Sequence, residues 1–182
     1  MNVITCDIPG LLILEPKVFG DPRGFFMETW NLKRYHDAGI PDGFVQDNIS
    51  LSRKGTLRGL HFQNPNAQGK LLQVLIGEVF DVAVDLRRSS PTFGRWHGLI
   101  LSEHNRRQFY IPPGFAHGFA VLSESALFQY KCTGFYSPKD EMTLRWNDPE
   151  VGIKWPIAEP LLSQKDQKGL GLRELPPEKL YP

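Results

Sequence analysis

The chain has 182 residues, 41% hydrophobic and 23% charged, with a formal net charge of +1. It is long enough to bury a core of its own, and it lacks the overall field that draws nucleic acid or an anionic membrane surface. Two cysteines, Cys6 and Cys132, without CxxC spacing, argue against a disulfide framework and for a reduced, cytoplasmic setting. The opening "MNVITCDIPG" lacks the basic and apolar segments of a signal peptide, and no apolar run approaches the roughly 20 residues that span a bilayer.

In chain order, the first strand candidate is "GLLILEPKVF" (10–19). A short helix is expected around Leu32 to Ala38, closed by Gly39 and then Pro41. "TLRGLHFQ" (56–63) and "LLQVLIGEVFDVAVDL" (71–86) follow as strands, then "HGLILS", "RQFYIPP", "GFAVLSESALFQYKCTGF" and "MTLRW". Within 71–86, Phe80, Val82, Val84 and Leu86 share one face, and Asp81, Ala83 and Asp85 share the other. From Gln164 onward the chain is polar and turn-rich, a loop or short helical tail. Residues 1–182 are expected to form a single domain, with 167–182 as its C-terminal tail. Glycine and proline punctuate short apolar runs throughout, the pattern of an all-β sandwich or barrel. Such a fold hides its strand edges by closing or by packing two sheets as a jelly roll. Between those sheets there is room for a cavity.

Several polar residues interrupt these strands, and each taken singly has a plain structural reading. His61 fits a half-exposed edge strand. Strict alternation puts it on the face opposite Arg58, but Gly59 between them marks a possible bulge that would turn both the same way. His117, between Ala116 and Gly118, fits a packed turn-to-strand junction. Lys70 fits a solvated lysine after a loop, and Arg23 an exposed turn. Tyr130 fits a buried ring that needs one hydrogen bond. No HxH or HxxxH pair occurs, and Gln63 stands where the second histidine of a jelly-roll metal site would be; an amide is a poor ligand for borderline metals. A metal-dependent dioxygenase of the same fold is therefore disfavoured.

Together, however, "LEPKVFGDPRGFFMETW", "FVQDN", "LRGLHFQ", "QGKL", "GEVFDVAVDLR", "SPTFG", "IPPGFAHGF", "YKCTGFYSP" and "RWNDPEVGIKWP" follow the order and wording of a known family. From about residue 10 to 166 the chain resembles the dTDP-4-dehydrorhamnose 3,5-epimerases (RmlC). The resemblance implies a cupin-type jelly roll with a few short helices, usually a homodimer, working without metal or other cofactor. The implied substrate is dTDP-4-dehydro-6-deoxy-D-glucose, whose C3 and C5 are inverted to give dTDP-4-dehydro-L-rhamnose, a precursor of cell-surface polysaccharide.

By the same resemblance His61 is the base and Asp166 its carboxylate partner. Tyr130 is the proton donor, and Lys70 stabilises the enolate oxygen. Arg23 and Arg58 bind the diphosphate, Glu28, Gln46 and Asn48 lie near the nucleotide, and Phe19, His117, Glu141 and Lys165 are further substrate contacts. The chemistry suits these residue types. C3 and C5 both flank the C4 ketone, so inversion needs a base of near-neutral pKa, an acid on the far side and a cation at the enolate oxygen. Asp81, on the polar face of its strand, is expected to pair with His117 and set its charge. Single-centre epimerases and ketoisomerases of other dTDP-deoxysugars share these residues and remain alternatives, as does a non-catalytic sugar-nucleotide-binding module.

Overall fold

The computed structural model describes residues 1–41 and 43–182. Its strands are β1 (Asn2–Thr5), β2 (Leu12–Glu15), β3 (Val18–Asp21), β4 (Gly24–Met27), β5 (Gln46–Arg53), β6 (Leu57–Gln63), β7 (Lys70–Ile76), β8 (Glu78–Asp85), β9 (Trp96–Ser102), β10 (Gln108–Ile111), β11 (Phe115–Val121), β12 (Ser125–Cys132) and β13 (Glu141–Thr143), with short helices α1 (Leu32–Asp37) and α2 (Gln164–Gln167). Two antiparallel sheets face each other, as expected for a jelly roll. One runs β1-β2-β10-β7-β12-β5 and the other β13-β6-β11-β8-β9, while β3 and β4 form a separate hairpin.

Alternation along each strand decides which face is buried. Leu72, Val74, Phe109 and Phe128 from the six-stranded sheet meet Val79, Ala83, Phe115, Phe119 and Val121 from the five-stranded sheet in the central core. The other face of the five-stranded sheet buries Val82, Val84 and Leu86, as the period-2 pattern predicts, beneath Leu172, Leu175 and Tyr181 of the C-terminal segment. That segment is thus packed, through two 3-10 turns (Leu172–Glu174 and Pro177–Lys179). Helix α1 lies where expected. Its N-cap, Asn31, accepts from the Arg34 amide, and its buried Tyr35 packs with Ile40 on Leu14, Leu71 and Tyr110.

The candidate over 10–19 covers β2 and only the start of β3, which belongs to the separate hairpin, and two other long strand candidates need correction. The run 71–86 is two strands in different sheets, broken at Gly77. Its φ of +85° favours glycine, and a Cβ there would collide with the Ser125 carbonyl. The run 118–135 likewise splits into β11 and β12 across the turn at Leu122 to Glu124. In both cases a run read as one strand hides a change of sheet. Strands β1, β4 and β5 have no counterpart among the sequence-based expectations. Among the described residues no helix is long and apolar enough to cross a membrane.

Candidate active site

Strand β6 carries an extra residue opposite β11: His61 pairs with His117 and Arg58 with Phe119, so three steps on β6 match two on β11. Gly59 sits in this bulge with φ +126°, and a Cβ there would lie 2.5 Å from the Gly118 Cα. The phase change puts Arg58 on the same face as His61, and both line one cavity of about 380 Å3 between the sheets. A pocket of this size suits a small ligand or the sugar end of a larger one.

The cavity has two walls. The five-stranded sheet contributes His61 on β6 and His117 on β11, and the six-stranded sheet contributes Lys70 on β7, Tyr130 on β12 and Gln46, Asn48 and Ser50 on β5. Asp166, on α2, meets His61 Nε2 at 2.5 Å. Its helix is fixed by Ser163, whose hydroxyl accepts from the Asp166 amide. Burial pushes the Asp166 carboxyl up, but the bonds from His61 and Ser163 outweigh it and hold the group below the usual carboxylate range. It is therefore an anion at neutral pH, able to orient the imidazole and stabilise its protonated form.

On the facing wall, Lys70 is buried and burial lowers its ammonium pKa. It forms no salt bridge among the described residues, so its charge is available to a ligand. Burial likewise raises the Tyr130 phenol, which keeps its proton until a stronger base demands it. His117 Nε2 lies 3.0 and 3.1 Å from the two Asp81 carboxylate oxygens, the pairing expected from the strand pattern. Glu141 accepts from Lys165 Nζ and from the Tyr136 hydroxyl, each at 2.9 Å, and all three residues line the cavity. Gln46 donates to Asn48, and Arg58 Nε donates to Ser52.

Ten of the predicted residues thus lie at this cavity: nine line it and Asp166 backs His61. Phe19, Arg23 and Glu28 do not. Phe19 and Arg23 belong to the exposed β3–β4 hairpin, where the Arg23 side chain is 90% exposed and, among the described residues, bound only to Asp21. Glu28 follows it and pairs with Arg34. The hairpin is held by the Arg106 guanidinium, 3.9 Å from the Phe25 ring centroid.

Lining residues that sequence reasoning passed over include Ser50, Gln68, Phe119, Cys132 and Tyr136. Tyr136 stands within the "YKCTGFYSP" motif, but nothing local marks it as cavity-facing. Gln63 braces the loop that carries Tyr136. Its side-chain amide donates to the Asn66 and Phe135 carbonyls and accepts from the Ser137 amide. No group of three or more His, Cys, Asp or Glu side chains among the described residues is placed to hold a metal.

An aspartate-backed histidine on one sheet, facing a buried lysine and a tyrosine on the other, is an arrangement chemically able to take up and deliver a proton across a jelly-roll cavity. The comparisons agree. Residues 5–174 match the family model described as dTDP-4-dehydrorhamnose 3,5-epimerase. The chain is 58% identical over 171 residues to the dTDP-4-dehydrorhamnose 3,5-epimerase of Shigella flexneri, covering 93% of this chain and 94% of that one. It is also 58% identical over 171 residues to the Pseudomonas aeruginosa enzyme of the same name, with the same coverage of 93% and 94%. A crystal structure of the dTDP-6-deoxy-D-glucose-3,5-epimerase of Legionella pneumophila, in complex with dTDP-4-keto-L-rhamnose, superposes with a TM-score of 0.97 at 54% identity, covering 99% of this chain and 97% of that one. The chain belongs to the dTDP-4-dehydrorhamnose 3,5-epimerase family, a family of isomerases.

Proposed function

We propose that this enzyme inverts C3 and C5 of dTDP-4-dehydro-6-deoxy-D-glucose. The observation that carries the reading is the His61–Asp166 pair on one cavity wall with Tyr130 and Lys70 on the other. His61 takes the proton from a carbon beside the ketone, and Asp166 stabilises the imidazolium that forms. Electron density moves to O4, where the Lys70 ammonium meets the enolate charge. Tyr130 delivers a proton to the opposite face and the centre is inverted; proton transfer of this kind supplies about 10²–10⁴ in rate. Once solvent has taken the proton from His61 and returned one to Tyr130, the same sequence at the second carbon completes the double epimerisation.

Arg58 and Lys165, near the mouth, are placed for the diphosphate, with Gln46 and Asn48 towards the nucleotide. Phe19, Arg23 and Glu28 reach a site only if a second copy of the chain presents its hairpin to this cavity, which supports a working homodimer. NMR of the substrate in D2O tests the reading. Wild type is expected to place deuterium at both C3 and C5, and His61→Ala at neither. Label at one carbon alone would make this a single-centre epimerase, and no label in wild type with the nucleotide still bound would leave a binding module.

A further inference from the structure

His61 and His117 are direct cross-strand partners, and each places its Nε2 on an aspartate. The two pairs differ in setting. The His61 side chain is 25% exposed and Asp166 3%, whereas His117 is 8% exposed and Asp81 not at all. Burial pushes the Asp81 carboxyl up and the His117 imidazole pKa down, in the latter case outweighing Asp81, whose charge and hydrogen bond pull it upward. A cationic His117 would also stand beside two other bases, Lys70 and His61, which lower its pKa further.

Among the described residues, the remaining charged or titratable groups around the cavity are Arg58 on β6, Tyr130 and Cys132 on β12, Tyr136 on the loop that follows, Glu141 on β13, and Lys165 and Asp166 on α2. Asp81 is the one carboxylate in contact with His117 among the described residues, and its charge is shared with Lys70. One Nε2–H therefore satisfies Asp81, and a second proton on the ring has no anion to meet. Nδ1 has no hydrogen-bond partner among the described residues, and the ring lines the cavity.

We infer that Asp81 is a positioning residue: it holds His117 as the neutral Nε2–H tautomer, so that Nδ1 is a fixed acceptor for a sugar hydroxyl beside the base. Of the two neighbouring histidines, only His61 then changes charge during turnover. Two adjacent imidazolium ions never form, and the proton taken from carbon stays on the ring that Asp166 supports. The identity of the hydroxyl donor rests on the epimerase reading; the tautomer does not.

The test begins without substrate. In 15N-resolved NMR of the full-length wild type, His117 is expected to show a protonated Nε2 and a bare Nδ1 from pH 5.5 to 8.5. A doubly protonated His117 at neutral pH, or the Nδ1–H tautomer, would overturn the inference whether or not the enzyme proves to be an epimerase.

The second arm is kinetic. In His117→Gln the amide donates to Asp81 and its oxygen replaces Nδ1 as acceptor. This variant should keep kcat within about tenfold of wild type, while His117→Leu loses at least a hundredfold in kcat/KM. Equal loss in both variants, with melting temperatures unchanged, would show that an ionisable ring is needed and would contradict the proposal. Asp81→Asn can present either end of its amide to His117 and should mix the two tautomers, raising KM several-fold more than it lowers kcat. A single Nε2–H tautomer surviving in that variant would remove Asp81 from the role.

Discussion

The cavity and the β3–β4 hairpin are opposites in construction. The cavity is assembled from both sheets and α2, its central polar groups are buried or half-buried, and its two aspartates, Asp166 and Asp81, meet histidines more than thirty residues away in sequence. The hairpin is four residues against four, exposed along most of its length, and its ion pair, Asp21–Arg23, is local. Chemistry needs fixed geometry and a low dielectric, and one folded chain supplies both. On the proposed homodimer, the exposed hairpin supplies the reach needed to grip a flexible nucleotide in a neighbour's cavity. The difference is between a site whose geometry one chain fixes and a surface element that touches that site only under this proposal.

The largest effect belongs to the cavity. Lys70→Met should lower kcat by about 10²–10³, the usual loss when one donor to a developing oxyanion is removed. It should leave the melting temperature unchanged or raised, because a buried, unpaired ammonium is replaced by an apolar chain of similar length. A large loss of stability with kcat intact would reverse the assignment of Lys70. The hairpin should behave differently. Arg23→Ala is expected to raise KM about tenfold, equivalent to roughly 1.4 kcal/mol, with kcat nearly kept. Mixing the inactive His61→Ala chain with the weakly binding Arg23→Ala chain should restore wild-type KM to a fraction of the sites if the hairpin serves a second copy. No such fraction after subunit exchange would confine each chain to its own site.

Acid titration gives the smallest contrast. The Asp166 carboxyl lies below its ordinary value because His61 and Ser163 bind the ionised form. Its contribution is therefore present above the unfolded pKa of about 3.9 and is lost as pH falls through the lower, folded value. Between pH 5 and 3, wild type should lose melting temperature by a few degrees more than Asp166→Asn. Asp21 is also shifted down, by Arg23, but it is solvent-exposed, and Asp21→Asn should track wild type across the range.

Much of this is legible in the sequence because period-2 alternation places side chains on faces. It puts Asp81 and Ala83 on one face of β8, the polar face from which Asp81 is expected to reach His117, and the structure turns that face inward. Gly59 flags the bulge that brings Arg58 round to His61. Strand β5 escapes because its alternation is inverted. Gln46, Asn48 and Ser50 turn their polar face inward to a cavity, while Ile49 and Leu51 stand exposed outside. The His61–Asp166 pair spans 105 residues, and no local pattern encodes such a contact; family resemblance alone points to it. The change of sheet at Gly77 is invisible because both strands it joins are apolar on at least one buried face.

In the proposed mechanism base and acid stand on opposite walls, and deuterium exchange tests that arrangement directly. In D2O, substrate incubated with Tyr130→Phe should exchange its C3 and C5 protons for deuterium without inversion, because His61 returns a proton to the face it left. His61→Ala should show neither exchange nor inversion. Inversion at an undiminished rate in Tyr130→Phe, or exchange surviving in His61→Ala, would contradict the two-walled arrangement.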